Sequence, residues 1–319
     1  MIIQTAVNGL SADPDRLLEA WETLRQSDPH VHGPDAAARL QVPEARLVAS
    51  KVGLGATALE MQLRELLNSS ASWGKLLVAV RSASGVVLNL LETVSSSYDP
   101  ATRRIRISGP AHDIVLADTE SGSCFLLEDR DAHGHTFSIN WFDLRGDVVG
   151  RIFLMAKSGR ERALPTLQRF ARSSQIRTVE VDPCAPPLPV VRIGAGEEAG
   201  AFAASGKEDE TVASEVAAAI LALPSLSMAM VTFEGPGAAC SHSGSFTKSS
   251  AGGPAVHASG PGAKLHLRPQ EFRRSWVRAS NPECIPDRHF MDGIGGALCI
   301  APLTATSVRN PSTKPKGLT

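Results

Sequence analysis

The sequence predicts an α+β protein: a tandem repeat of one helix-plus-antiparallel-sheet unit, preceded by N-terminal helices. Three observations predict it. Apolar residues recur at helical spacing up to about residue 70 and alternate with period two from Trp73 onward. The alternating runs are short, successive and separated by turn residues, as in an antiparallel sheet. Sliding the chain on itself by about 151 or 152 residues lays Gly85 on Gly237, Ile114 on Leu265, Leu116 on Leu267 and Phe125 on Trp276. The divisions expected are a helical segment over 1–70, a first β-sheet repeat over 71–180, a linker over 181–210, a second repeat over 211–304 and a disordered tail over 305–319.

The first helix starts where Asp13 can cap a turn opened by Pro14, and Leu17, Leu18, Trp21 and Leu24 continue it at helical spacing. Two short helical patterns follow, Asp35 to Leu40 and Pro43 to Lys51, separated by Gln41 and Val42 in a helix-turn-helix spacing. A DNA reader needs several basic residues on its second helix, and this one has Arg46 and Lys51. Packing is the plainer use of that motif. "ALEMQLRELL" reads as one more amphipathic helix.

Strands are then expected in "KLLVAVRSASGVVLNLLETV", "RRIRISG", "DIVLAD", "GSCFLLED" and "TFSINWFDLRGDVVGRIFLM", with Tyr98 in the turn-like "SSSYDPAT". The helix "RERALPTLQRFARSS" closes the first repeat. The stretch after it, rich in Pro, Gly, Ala and acidic residues, reads as a linker with little means of burying itself. The second repeat opens on the helix "ETVASEVAAAILAL" and continues with strands in "SLSMAMVTFEG", "GAACSHSGSF", "AKLHLRP" and "SWVRASN".

Composition narrows the function classes. A net charge of −1 gives no overall attraction to nucleic acid or to an anionic membrane. No apolar run reaches the roughly 18 residues that span a bilayer, and the start lacks the pattern of a secretory signal, so a cytoplasmic protein without membrane insertion is expected. The five cysteines are scattered, with no C-x-x-C pair. His133 and His135 share a polar turn without neighbouring ligands, and "GAGEEAG" lacks the leading strand of a dinucleotide site.

One histidine stands out. In "GAACSHSGSF" a strand would put Cys240, His242 and Gly244 on one face, so His242 has only a small thiol and no side chain beside it. Such a face leaves room for a planar group, and neutral imidazole is a common axial ligand of haem iron. Cys240 is a conceivable thiolate ligand, although a thiol near its ordinary pKa is mostly protonated at neutral pH. Lys248, Lys264, Arg268 and Arg278, in the same repeat, are candidate partners for carboxylates of such a ligand. His266 shares its strand face with Lys264 and Arg268; it is a candidate second ligand or a packed residue, and packing is the plainer reading.

The order of "LLEAWETLRQSDPHVHGPDAAARLQVPEARLVASKVG", "WFDLRGDVVGRIFLM", "CSHSG" and "LHLRPQEFRRSWVRASNP" resembles the cytoplasmic haemin-degrading factor family, the HemS/ChuS-type haem utilisation proteins. The resemblance runs from about Arg16 to about Pro302. It implies a tandem-repeat α/β protein that takes haem from an importer and ligates the iron through one strand histidine of the second repeat, here matched by His242. It also implies a distal arginine within Asp-Leu-Arg-Leu-Phe, where this chain has Asp113-Ile-Val-Leu-Ala117, with Val115 at the arginine's position. The family's aromatic and arginine contacts in a C-terminal Phe-Phe-Gly-x-Arg-like strand are replaced by "ALCIAPLTA".

The expected function is therefore haem sequestration and trafficking in iron acquisition, with haem as ligand or substrate and a haem importer or downstream haem oxygenase as partners. Ring opening is less well provided for than binding, because Val115 removes the distal donor. Two alternatives belong to other classes: a DNA-binding regulator acting through the N-terminal helices, and a decayed paralogue that keeps the pocket's shape without binding.

Overall fold

The computed structural model describes residues 13–29, 31–60, 63–92, 95–118, 122–131, 134–155, 157–193, 209–278 and 287–303. Helix α1 (Pro14–Ser27) begins as its sequence dictates. The Asp13 carboxylate accepts hydrogen bonds from the backbone N–H groups of Asp15 at 3.0 Å and Arg16 at 3.3 Å, and Pro14 occupies a position that needs no donor. Leu17 and Trp21 bury against α2 (Gly33–Leu40) and α3 (Glu44–Ala49). Gln41, in the left-handed region at φ 54°, ends α2 and turns the chain. The opposite side of α3 packs Ala45, Val48 and Ala49 onto Phe125, Leu127 and Phe142.

The helix expected across "ALEMQLRELL" is in fact a strand followed by a helix: β1 (Ala56–Leu59), then α4 (Leu63–Ser70). Gly53 and Gly55, both at positive φ, redirect the chain so that Ala56–Leu59 can join a sheet edge. Edge pairing outweighs helix propensity there. The remaining strands of the first half are β2 (Leu76–Ser82), β3 (Gly85–Leu91), β4 (Ser95–Asp99), β5 (Arg104–Gly109), β6 (His112–Ala117), β7 (Ser123–Asp131), β8 (Gly134–Phe142) and β9 (Val148–Leu154), closed by α5 (Lys157–Arg169). The expected turn at Tyr98 is strand β4, with Tyr98 opposite Ile105.

The second half comprises α6 (Asp209–Ala222), β10 (Ala229–Gly235), β11 (Ala238–Gly244), β12 (Lys248–Gly252), β13 (Ala255–Ser259), β14 (Ala263–Leu267), β15 (Phe272–Arg278), β16 (Asp287–Asp292) and β17 (Ala297–Pro302).

Two antiparallel sheets result. Sheet A runs β1-β7-β8-β9-β2-β3-β14-β13-β12, and sheet B runs β15-β16-β17-β10-β11-β6-β5-β4. Apart from β1, each order becomes the other when first-half strands are exchanged for second-half ones, which is the signature of a duplicated unit. The halves expected at 71–180 and 211–304 do not build one sheet each. Each lends three strands to the other's sheet, β4–β6 to sheet B and β12–β14 to sheet A.

The hairpins fix the correspondence. The pairs Leu76–Leu91 and Ser82–Gly85 match Ala229–Gly244 and Gly235–Ala238, so Asn89 corresponds to His242 and Gly85 to Ala238. The slide in the sequence had set Leu90 against His242, one residue away. In the β5–β6 and β13–β14 hairpins Ile114 does fall on Leu265 and Leu116 on Leu267, and Val115 falls on His266.

The sheets stack face to face on Val78, Val80, Val87, Ile114, Leu116, Val231, Phe233, Leu265 and Leu267, all buried. Full burial of each such side chain contributes about 1.5–3 kcal/mol. Helices α1–α3 cover part of sheet A's outer face, held by ion pairs of Arg25 and Lys51 with Asp129 at 2.9 and 3.2 Å, of Arg268 with Asp35 at 3.0 Å, and of Arg151 with Glu44.

The linker expected over 181–210 is, in its described part, packed. Val191 is buried and donates its N–H to the Gly235 carbonyl at 3.0 Å, and Val190 bridges to Pro236. The rest of the expected linker up to residue 208 and the expected tail lie outside the described residues. Among the described residues no helix is long and apolar enough to cross a membrane.

Candidate functional site

Strand β11 carries Cys240 and His242 on one face, as alternation requires, and that face is turned into the core. His242 is 4% exposed. Its Nδ1 lies 3.3 Å from Nδ1 of His112, the residue opposite it on β6, and the two rings stack with centroids 4.6 Å apart. His112 Nδ1 in turn meets the Asn89 side-chain oxygen at 3.2 Å, which links sheet B to sheet A. Burial, and then the neighbouring His112 charge, lower the His242 pKa from 6.5 to about 4, and burial alone lowers that of His112.

The small neighbours of His242 lie close against its ring. A Cβ on Gly244 would lie 2.6 Å from His242 Nε2, and one on Gly262 would lie 3.1 Å from His242 Cε1. The glycines make room for the imidazole itself. His242 Nε2 is buried without a partner, and neither outer-face cleft reaches it. The expected iron ligand is thus a buried side chain that faces the core among the described residues. Cys240 is fully buried, and burial pushes its thiol up to about 12, so it remains protonated.

The residues that can receive a large flat ligand lie on the opposite face of the other sheet. Between α2 and the outer face of sheet A is a cleft of about 600 Å³, within the range of small-molecule sites. Ala79, Val86, Leu88 and Phe153 give it an apolar floor. Around them stand Arg81, Arg151, Arg268, His32, His257 and His266. His257 and His266 are cross-strand partners with their Nδ1 atoms 2.7 Å apart. Gly85 lets β3 approach β14 here: at φ 150°, a Cβ would lie 2.3 Å from the His266 carbonyl oxygen.

The electrostatics of this cleft favour an anion. Arg81 has no ion pair among the described residues, and burial, followed by the charge of Arg151, lowers its pKa. Arg151 Nε is buried without a partner. Glu44 and Asp35, ion-paired with Arg151 and Arg268, also act on Arg81, and the two carboxylates against three guanidinium groups leave one positive charge in excess. A desolvated guanidinium of this kind is stabilised by a carboxylate from outside. His266 is held below its ordinary pKa by burial first, then by the charges of His257, Lys264 and His32.

The matching face of sheet B is built differently. Val115 stands where sheet A has His266, and Arg106 where it has His257. Val115 is 4% exposed beneath Val191 and Ile193. Arg192 of the same packed segment pairs with Glu234 at 2.5 Å, and Glu234 also accepts the Ile193 N–H. The cleft left there, lined by Ser97, Tyr98, Asp99, Thr102, Arg104, Arg106, Val115 and Arg192, contains no imidazole.

Of the residues singled out from the sequence, His266 and Arg268 come together in the sheet A cleft. Lys264 is exposed on the same strand face but does not line the cleft, and Lys248 sits on the edge strand β12. The backbone of Arg278 ends β15 in sheet B, far along the order from the cleft, and its side chain lies outside the described residues. Arg81, Arg151 and His257 were missed. The available signal was "AVHAS", an alternating run opposite "LHL", which places two histidines on one face once it is taken as a strand.

The helix-turn-helix reading fails on burial. Helix α3 has only six residues, of which Glu44, Ala45, Leu47, Val48 and Ala49 are buried, so no face is free to enter a groove. Lys51 is held by Asp129 and lies 4.7 Å from the Trp21 ring centroid. His133 lies outside the described residues, and His135 pairs with Glu128 at 2.5 Å.

Residues 41–169 match the model of the haemin-degrading HemS.ChuX domain. Among solved structures, the chain is similar to holo-PhuS, a haem-binding protein from Pseudomonas aeruginosa, with a TM-score of 0.75 and 20% identity over 92% of this chain and 95% of that one. It is also similar to the haem-degrading enzyme ChuS of Escherichia coli O157:H7, with a TM-score of 0.71 and 18% identity over 92% and 95%. These likenesses establish the fold. No curated protein matches the sequence.

Proposed function

We propose that this chain binds haem in the cleft on the outer face of sheet A, a reading supported by the match of residues 41–169 to the haemin-degrading HemS.ChuX domain model. The observation that supports this most is one apolar floor ringed by an unpaired arginine and a histidine pair. The floor residues Val86, Leu88 and Phe153 take the porphyrin face, and its removal from water supplies most of the affinity. Arg81, with Arg151 and Arg268 beside it, holds the propionates. His266 supplies a ring nitrogen to the iron. Haem, once bound, would supply an oxygen-activating iron, and ring opening would need oxygen and an external electron donor.

The role proposed is haem sequestration and transfer in the cytoplasm during iron acquisition, between an importer and an acceptor such as a downstream haem oxygenase. One haem per chain is expected, because residues 189–193 cover the equivalent face of sheet B and Val115 offers no ligand there. Titration of the full chain with haemin tests the proposal. A Soret band that saturates at one equivalent, is lost or shifted in His266→Ala and persists in His242→Ala supports it. A spectrum abolished by His242→Ala and untouched by His266→Ala refutes this location.

A further inference from the structure

His257 and His266 face each other across β13 and β14 on the outer face of sheet A, with Nδ1 atoms 2.7 Å apart. At that distance the two nitrogens share one hydrogen. When both rings are neutral, one donates its Nδ1–H and the other accepts at a bare Nδ1. The donor then carries its lone pair on Nε2, and the acceptor carries a hydrogen on Nε2. Only the donor can bond a metal through Nε2.

The two rings differ in their surroundings. A Cβ on Gly252 of β12 would lie 3.8 Å from His257 Nε2, so that nitrogen is directed to the sheet edge. His266 has β3 on its other side, where Val86 is its cross-strand partner and part of the cleft floor. His266 thus stands between His257 and Val86, and both it and Val86 line the cleft. We propose that His257 is a positioning residue: it accepts the Nδ1–H of His266 and thereby fixes His266 in the tautomer whose Nε2 lone pair faces the cleft.

This rests on the proposed haem site for its consequence, but the tautomer itself exists in the ligand-free protein. An imidazole that donates its Nδ1–H to a neighbour is oriented and made a better electron donor to a metal. The function of the pair is to hold one ligand ready, with His257 supporting rather than touching the iron.

Two measurements on the full chain test it. Long-range ¹H–¹⁵N spectra of histidine-labelled, ligand-free protein at pH 8 should give His266 as the Nδ1–H tautomer and His257 as the Nε2–H tautomer. His257→Gln, whose amide oxygen still accepts, should keep the His266 tautomer, and His257→Ala should return it to the ordinary Nε2–H form. With haemin bound, His257→Ala should weaken binding about tenfold or more and raise the iron midpoint potential, with both recovered in His257→Gln. Nε2–H in His266 of the wild type overturns the proposal, as does a His257→Ala protein with wild-type affinity and potential. If the tautomers are as stated but no haemin binds, the proposed function fails and the pairing stands.

Discussion

The buried His112–His242 pair makes acid stability a quantitative test of the interior. A free imidazole in the unfolded chain takes up its proton near pH 6.5, whereas His242 in the folded protein does so only near pH 4. As pH falls through this window the unfolded state gains protons first, so stability falls from about pH 6.5 downward and the loss is complete below about pH 4. At about 1.4 kcal/mol per pH unit, the full loss attributable to His242 is about 3 kcal/mol, and about 2 kcal/mol is already gone at pH 5. The ring is 4% exposed, so solvent screening takes little from this figure. His112, also lowered by burial, acts in the same direction. Asn89 occupies the corresponding place in the other half, so His242→Asn substitutes a group this fold already tolerates there. Urea unfolding at pH 8 and pH 5 should show a drop between the two that is about 2 kcal/mol smaller in His242→Asn than in the wild type. Any cost of the substitution itself is common to both pH values and cancels. Parallel losses in the two proteins would mean that the histidine is solvated or already charged in the fold, and the interior placement would be wrong.

Further outcomes follow from the same geometry. Gly244→Ala forces a methyl to 2.6 Å from His242 Nε2 and should destabilise the protein by about 1–3 kcal/mol in urea or thermal unfolding. Combining it with His242→Asn should restore part of that, since the two sites are in contact and their effects should not add. In gel retardation the full chain should give no salt-sensitive shift of duplex DNA, because α3 is buried along its length; a steep salt dependence would reopen the regulator reading.

The local elements were largely readable. Asp13 and Pro14 announce α1 because an N-cap and a first-turn proline act within a few residues of chain. The alternating runs from Leu76 to Leu154 announce strands because a half-buried strand writes its two faces into successive residues. The Ile114–Leu265 and Leu116–Leu267 matches carried the duplication. The Ala56–Leu59 strand was hidden because its pairing partner, Cys124–Leu127, is distant in sequence, and local propensity there favours a helix. The packed segment 189–193 was hidden for a similar reason: its contacts are with Gly235 and Glu234, and a Pro-rich composition carries no trace of them.

The sequence by itself determined which side chains share a strand face: Cys240 with His242, and Lys264 with His266 and Arg268. It did not determine which of those faces is covered, because period-two alternation looks the same whether a face meets water or a second sheet. Tertiary stacking made that choice, by exchanging three strands between the halves and packing β2 and β3 of sheet A against β11, which carries His242, while leaving β14 open beside α2. A one-residue change of register would have exchanged the two outcomes, since every side chain would move to the opposite face.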